Sequence, residues 1–148
     1  MIQFRKIRAA DTYCIRQQIL RPTQTIEECK YEGDMDESTF HVGAFDGDEL
    51  ICIGSFYQEA QEGLEGRRPF RLRGMATLPD YRSKGIGKQL IQYSENILKN
   101  EGCDLWWCNA RTSAAPYYTK LGLRQSGDIF EIEPIGPHVI MFKTFKTL

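Results

Sequence analysis

A chain of 148 residues with 41% apolar and 26% charged side chains has the size and balance of one folded domain, and this excludes a disordered polymer. The formal net charge of -1 excludes the general basic surplus of a nucleic-acid binder. No apolar run approaches the ~18 residues needed to cross a bilayer, so no membrane partner is expected.

Five cysteines, an odd number without Cys-x-x-Cys spacing, fit a reducing compartment better than a disulfide framework. The opening MIQFRKIRAAD alternates and has no signal-peptide core, so a cytoplasmic protein is expected. With His41 and His138 as its two histidines, the chain gives a metal site little support, and no metal is expected.

Ile2, Phe4 and Ile7 mark a first strand over residues 2–8. Asp11 or Thr12 is expected to cap a helix carrying Tyr13, Ile15, Ile19 and Leu20. Arg21-Pro22 ends it, because the residue before a proline disfavours the α region. Residues 25–31 read as a short second helix, and 33–36 as a loop. Residues 39–45 and 50–57 flank Asp46-Gly47-Asp48, a hairpin signal. The polar stretch 59–68 reads as an exposed loop before a third strand, 70–78, which Pro79 closes.

Over residues 85–101, Ile86, Leu90, Tyr93 and Ile97 recur at helical spacing with Ile91 and Leu98 beside them, and Gly102 follows as a natural stop. Glu95 falls on another face. Leu105-Trp106-Trp107-Cys108 is a strand covered on both faces, with inert core thiols in Cys103 and Cys108. Residues 113–121 form a short helix capped by Thr112 or Ser113, and strands over 123–132 and 138–145 finish the chain. The order implies a mixed α/β sheet.

The stretch Arg82-Ser83-Lys84-Gly85-Ile86-Gly87-Lys88 joins bare backbone, positive charge and a helix start. A helix N-terminus leaves its first N–H groups unpaired and carries about half a positive charge. Glycines let that backbone approach a ligand closely, so the segment is a nest for a phosphate or diphosphate. It lacks the GxxxxGK[ST] of a Walker loop and the third glycine of a dinucleotide fingerprint.

Arg82-x-x-Gly85-x-Gly87 resembles the acetyl-CoA loop of the GNAT family, the GCN5-related N-acetyltransferases. Met75-Ala76-Thr77-Leu78-Pro79 resembles the end of that family's fourth strand. Ala114-Ala115-Pro116-Tyr117-Tyr118-Thr119-Lys120-Leu121-Gly122-Leu123 resembles its A-x-x-x-Y-x-x-x-G-F segment, with Leu123 in place of phenylalanine. The ending Gly136-Pro137-His138 is similar to an ElaA-like branch.

The resemblance implies a single domain over residues 1–148 with a mixed, mostly antiparallel sheet flanked by helices. It implies acetyl-CoA as cosubstrate and an amine as acceptor. Met75, Ala76, Thr77, Arg82, Ser83, Lys84, Gly85, Ile86, Gly87, Lys88, Arg111 and Tyr118 are the residues it places against that cosubstrate. It also makes a homodimer through the last strands an expectation.

A primary amine near pKa 10.4 is only ~0.1% neutral at pH 7 and must lose a proton before attacking a thioester. The oxyanion then formed needs an N–H donor, expected from the backbone of 74–77, where Gly74 signals a bulge. The departing thiolate benefits from a proton. By the resemblance Tyr118 supplies it, whereas Tyr117 reads as a core aromatic. Arg111 serves the cosubstrate's phosphates or the acceptor, or pairs with a surface carboxylate.

Glu59, Glu62, Glu65 and His41 read as structural or solvated groups before they read as the general base, and His138 is a further candidate. The acidic residues Glu27, Glu28, Glu32, Asp34, Asp36 and Glu37 read as a solvated face before they read as an attractor of cationic amines. A non-catalytic acyl-CoA sensor on the same fold, or a nucleotide-binding domain using the same nest, would share the loop.

Overall fold

Strand β1 (Ile2–Ile7) leads to helix α1 (Ala9–Ile15) and to strands β2 (Phe40–Asp46), β3 (Glu49–Gln58) and β4 (Pro69–Thr77). Helix α2 (Ile86–Asn100), strand β5 (Leu105–Arg111), helix α3 (Ala115–Lys120) and strands β6 (Arg124–Ile132) and β7 (Gly136–Thr144) complete the order. This computed structural model describes residues 1–145. The strands run β1-β2-β3-β4-β5-β7-β6 in one seven-stranded sheet. β4 and β5 are parallel, and the β1–β2, β2–β3, β5–β7 and β6–β7 pairs are antiparallel. The fold is therefore α/β with a mixed sheet, as the element order implied, and mostly antiparallel, as the family resemblance implied.

Two compact units divide the described residues, and β4 contributes to both. The first comprises residues 1–57 and 72–98. Here Gly47, at φ +61°, turns the β2–β3 hairpin between the paired Asp46 and Glu49, a backbone state that glycine adopts freely. Ile15, Ile53 and Ala76 form a core with Ile7, Ile19, Leu20, Leu50 and Leu78 against it. Each large apolar side chain so buried contributes about 1.5–3 kcal/mol. α2 buries Ile86 and Leu90 of its expected stripe together with Ile91 and Leu98, while Tyr93 and Ile97 are only half-buried. It also buries Ser94 and Glu95, so Glu95 is not on a solvent face.

The second unit comprises, among the described residues, 58–71 and 99–145. The β4–β5 ladder pairs Pro69, Phe70 and Arg71 with Leu105, Trp106 and Trp107. Both tryptophans are buried, and Trp107 Nε1 donates to the Glu59 carbonyl at 2.9 Å. The Asp104 carboxylate accepts from the amides of Arg67 at 2.7 Å and Arg68 at 3.0 Å, which fixes the entry into β4.

Several local expectations are corrected. The α1 N-cap is Arg8, not Asp11 or Thr12; Asp11 sits three residues inside and accepts from the Arg8 amide at 2.9 Å. The expected helix end becomes a π turn, Arg16–Leu20, closed by Arg21 N–H to Arg16 O at 2.9 Å. Residues 25–31 shrink to a 3-10 turn, Glu27–Cys29. Neither Thr112 nor Ser113 caps α3 with its side chain; both lie in the 3-10 turn Thr112–Ala114. Among the described residues no helix is long and apolar enough to cross a membrane.

Candidate active site

The basic loop is held from below by Tyr81. Its hydroxyl donates to Asp46 at 2.8 Å and Glu49 at 3.3 Å, tying the 3-10 turn Pro79–Tyr81 to the β2–β3 hairpin. Arg82 Nε then donates back to the Thr77 carbonyl at 3.1 Å, joining the loop to the end of β4. Ser83 at φ +64° and Gly85 at φ +77° curl the next residues. A non-glycine residue held there costs about 1–3 kcal/mol, a strain typical of ligand clamps.

The first helical bond of α2 runs from the Gln89 N–H to the Gly85 carbonyl at 3.1 Å. The amides of Ile86, Gly87 and Lys88 therefore have no acceptor within the helix. A Cβ built on Gly85 would meet no atom within 4 Å, so open space faces it. Arg82, Ser83, Lys84 and Lys88 are exposed around this opening. An anion of diphosphate size fits such a donor set.

Along β4, Gly74 has φ +65°, and the strand is kinked there. A Cβ at this position would lie 3.2 Å from Tyr31 Cε2 and 3.4 Å from Arg16 Nε. Ala76 is buried, and Met75 and Thr77 are half-buried. Gly74→Ala is expected to destabilise the protein by about 1–3 kcal/mol, from backbone strain and crowding, with urea denaturation as the check.

Beneath that kink lies a buried polar network. Arg16 donates from Nη1 to Asp34 Oδ2 at 2.7 Å and to the Cys29 carbonyl at 2.9 Å. From Nη2 it donates to Asp34 Oδ1 at 3.1 Å, Ser55 Oγ at 3.0 Å and Tyr57 Oη at 3.1 Å. An arginine can only donate, so the proton directions follow. The Tyr57 hydroxyl donates to Asp34 Oδ1 at 2.5 Å. The Ser55 hydroxyl donates to His41 Nδ1 at 2.6 Å, and His41 donates from Nε2 to the Asp34 carbonyl at 3.0 Å.

Burial alone would raise the Asp34 pKa, but hydrogen bonds from Arg16, Tyr57 and the Tyr31 amide hold it below the usual carboxylate range. Burial pushes Tyr57 up, as does its bond to Asp34. Burial likewise holds His41 below its ordinary value of 6.5. With both ring nitrogens committed, His41 is a structural group and not a general base. Asp34 is equally not part of a solvated acidic face.

A histidine depressed in the folded state binds its proton more readily when unfolded. Stability therefore falls as pH drops below about 6.5. That acid slope is expected to flatten in His41→Gln, read from denaturation midpoints between pH 7 and 5.

The second unit carries the tyrosine pair of α3. Tyr117 is 40% exposed, so it is not a core aromatic. Tyr118 is half-buried, and its hydroxyl donates to the Cys108 thiol. Burial raises the Tyr118 pKa above its ordinary 10, and Cys108 and Tyr117 add to the rise. Burial also pushes the Cys108 thiol up to about 12, an inert group. Tyr118 therefore holds its proton across the physiological range.

Of the remaining base candidates, Glu59 is tied to Arg71 at 3.1 Å. Glu62 and Glu65 are exposed loop residues. His138 is buried and donates from Nδ1 to the Gly136 carbonyl at 2.8 Å, which leaves Nε2 as its acceptor nitrogen. Arg111 ends β5, exposed, with no carboxylate within 4.0 Å among the described residues. Among the described residues no group of three or more His, Cys, Asp or Glu side chains is placed to hold a metal.

The sequence reading missed Arg16, Ser55 and Tyr57 as members of one network. A signal existed. Thr12 and Arg16 are spaced as neighbours on the buried face of α1 and its π turn, and Ser55 and Tyr57 stand two and four residues after Ile53, on the same face of β3.

The family model described as the acetyltransferase (GNAT) family matches residues 3–123. The uncharacterized N-acetyltransferase YitI of Bacillus subtilis is 45% identical over 147 residues, 99% of each chain. The crystal structure of Escherichia coli ElaA superimposes with a TM-score of 0.75 at 16% identity, covering 97% of this chain and 99% of ElaA. An aminoglycoside 6'-N-acetyltransferase crystallised with coenzyme A gives a TM-score of 0.70 at 18% identity, over 96% of both chains. The last two likenesses are of fold.

Proposed function

The chain belongs to the acetyltransferase (GNAT) family, and from that premise we propose that it carries acetyl from acetyl-CoA to a primary amine of a small molecule or peptide, by direct attack of the amine on the thioester. The observation that carries this reading is the nest at the start of α2: a curled loop, unpaired amides at Ile86, Gly87 and Lys88, and open space at Gly85. The coenzyme A complex of the aminoglycoside 6'-N-acetyltransferase supports the same cosubstrate.

Bound acetyl-CoA supplies an electrophilic thioester and a thiolate leaving group. The amides of residues 83–88 bind its diphosphate, with Arg82, Lys84 and Lys88 adding charge and Arg111 offering a further cation. Gly74, at φ +65°, breaks the regular strand geometry of β4, and the backbone of Met75, Ala76 and Thr77 after it is the donor set for the acyl arm and the developing oxyanion. Tyr118 holds a proton for the departing sulfur. His138 Nε2 is the candidate acceptor for the amine's proton, directly or through water.

The domain in this reading spans residues 1–148. The unpaired cysteines support a reducing, cytoplasmic setting. β6 ends the sheet, and that edge supports pairing between two copies.

A thiol-release assay with acetyl-CoA and a broad amine panel tests the activity. Release well above buffer with at least one amine is expected; tight coenzyme A binding without release would replace the transferase by a sensor. Gly85→Val is expected to weaken coenzyme A binding by about 10- to 100-fold, since a branched Cβ fills the anion's seat and resists φ +77°. Calorimetry against the parent protein checks it.

A further inference from the structure

Tyr31 is surrounded by three guanidinium groups. Their Cζ atoms lie 3.9 Å (Arg16), 4.5 Å (Arg73) and 5.2 Å (Arg21) from its ring centroid. Arg73 also faces the ring of Tyr57 at 5.8 Å. One carboxylate, Asp34, serves this group, and it is spent on Arg16. Among the described residues neither Arg73 nor Arg21 has a carboxylate within 4.0 Å. Arg21 donates to Gln24 Oε1 at 2.7 Å, a neutral partner. Both arginines are half-buried, where solvent compensates their charge only in part.

Two acids of the preceding turn have partners of their own. Glu27 pairs with Lys30 at 2.8 Å, and Glu28 accepts from Thr25 N–H at 3.1 Å. Two uncompensated cations against one tyrosine call for an anion from outside the chain. A guanidinium stacked on a ring keeps its N–H edge for a carboxylate or phosphate, which it grips bidentately. Arg73 directly precedes Gly74, the kink beside the segment assigned to the acyl arm.

We propose that Arg73 and Arg21, held on Tyr31, form an anion subsite for the acceptor, so that the substrate is an amine bearing a carboxylate or phosphate. The subsite rests on the acetyltransferase reading for its role and on the arginine–tyrosine geometry for its existence. It differs from the alternative that the acidic residues between 27 and 37 attract a cationic amine: the fixed charge awaiting the acceptor is positive.

The test has two arms. In the binding arm, N-acetyl-amino acids are titrated calorimetrically against their carboxamides, and phosphoethanolamine against ethanolamine, on parent, Arg73→Gln and Arg21→Gln proteins. The expected result is a preference of about 10-fold or more for one anionic class on the parent, lost in Arg73→Gln, with coenzyme A affinity unchanged. Which class wins identifies the anion. In the turnover arm, the same amine pairs are compared by kcat/KM, and Arg73→Lys should recover part of the preference. Equal binding of anionic and neutral partners overturns the subsite even if turnover is seen. Loss of coenzyme A affinity in Arg73→Gln also overturns it, by assigning the arginine to the cosubstrate. Anion preference without any turnover keeps the subsite and counts against the transferase.

Discussion

Tyr118→Phe is expected to lower kcat by about 10- to 1000-fold while coenzyme A affinity stays within about twofold. The hydroxyl is the one atom removed, and the ring that packs α3 remains. Burial first, then Cys108, holds this phenol protonated well above the ordinary range, so it can give a proton but cannot serve as a base near neutrality. No alkaline loss of rate near pH 9–10 should therefore trace to Tyr118. Cys108→Ala removes the thiol that now accepts the Tyr118 proton and is the control: it should leave kcat near that of the parent. Stopped-time assays of thiol release across pH 6–10 read all three expectations. An unchanged kcat in Tyr118→Phe would remove the proton-donor role.

The largest stability effect is expected at Asp34. Asp34→Ala strips the carboxylate from a fully buried guanidinium, and loss of one partner of a buried pair costs about 3–5 kcal/mol. The change also leaves Tyr57 without the acceptor of its proton and the Tyr31 amide without a partner at 2.9 Å. Urea denaturation should show the unfolding free energy falling by that amount. In the double variant Arg16→Met with Asp34→Leu much of the loss should return, because no buried charge is left unpaired. Since the folded state holds Asp34 below its ordinary 3.8, the stabilisation is present above that pH and drains away as pH falls through the lower, folded value. A single Asp34→Ala loss below about 1 kcal/mol would show that water enters and solvates Arg16.

Much of the frame was written locally. The α2 stripe, the Asp46-Gly47 hairpin and the Arg82-x-x-Gly85-x-Gly87 loop are read from spacings of a few residues, and each occurs where its spacing placed it. Gly74 announced its kink because a glycine inside a strand has few other uses. The buried network was invisible for the opposite reason. Arg16 meets Asp34, Ser55 and Tyr57 across separations of 18, 39 and 41 residues, and arginine, aspartate and serine are usually found on a surface. The cap of α1 was misplaced because Asp11 and Thr12 are both good cap residues, whereas the chain uses Asp11 three positions in, to hold the Arg8 amide. Tyr117 and Tyr118 look alike in sequence; the short α3 turns one outward and sets the other against Cys108.

Everything assigned to the site depends on main-chain amides at the start of α2 taking the diphosphate of coenzyme A. Calorimetric titration of the parent protein with coenzyme A, with pantetheine as the diphosphate-free comparison, tests that dependence most directly. Saturable micromolar binding of coenzyme A, at least about 100-fold tighter than pantetheine, is the predicted outcome. Equal affinities, or no saturation with coenzyme A at millimolar concentration, would contradict it.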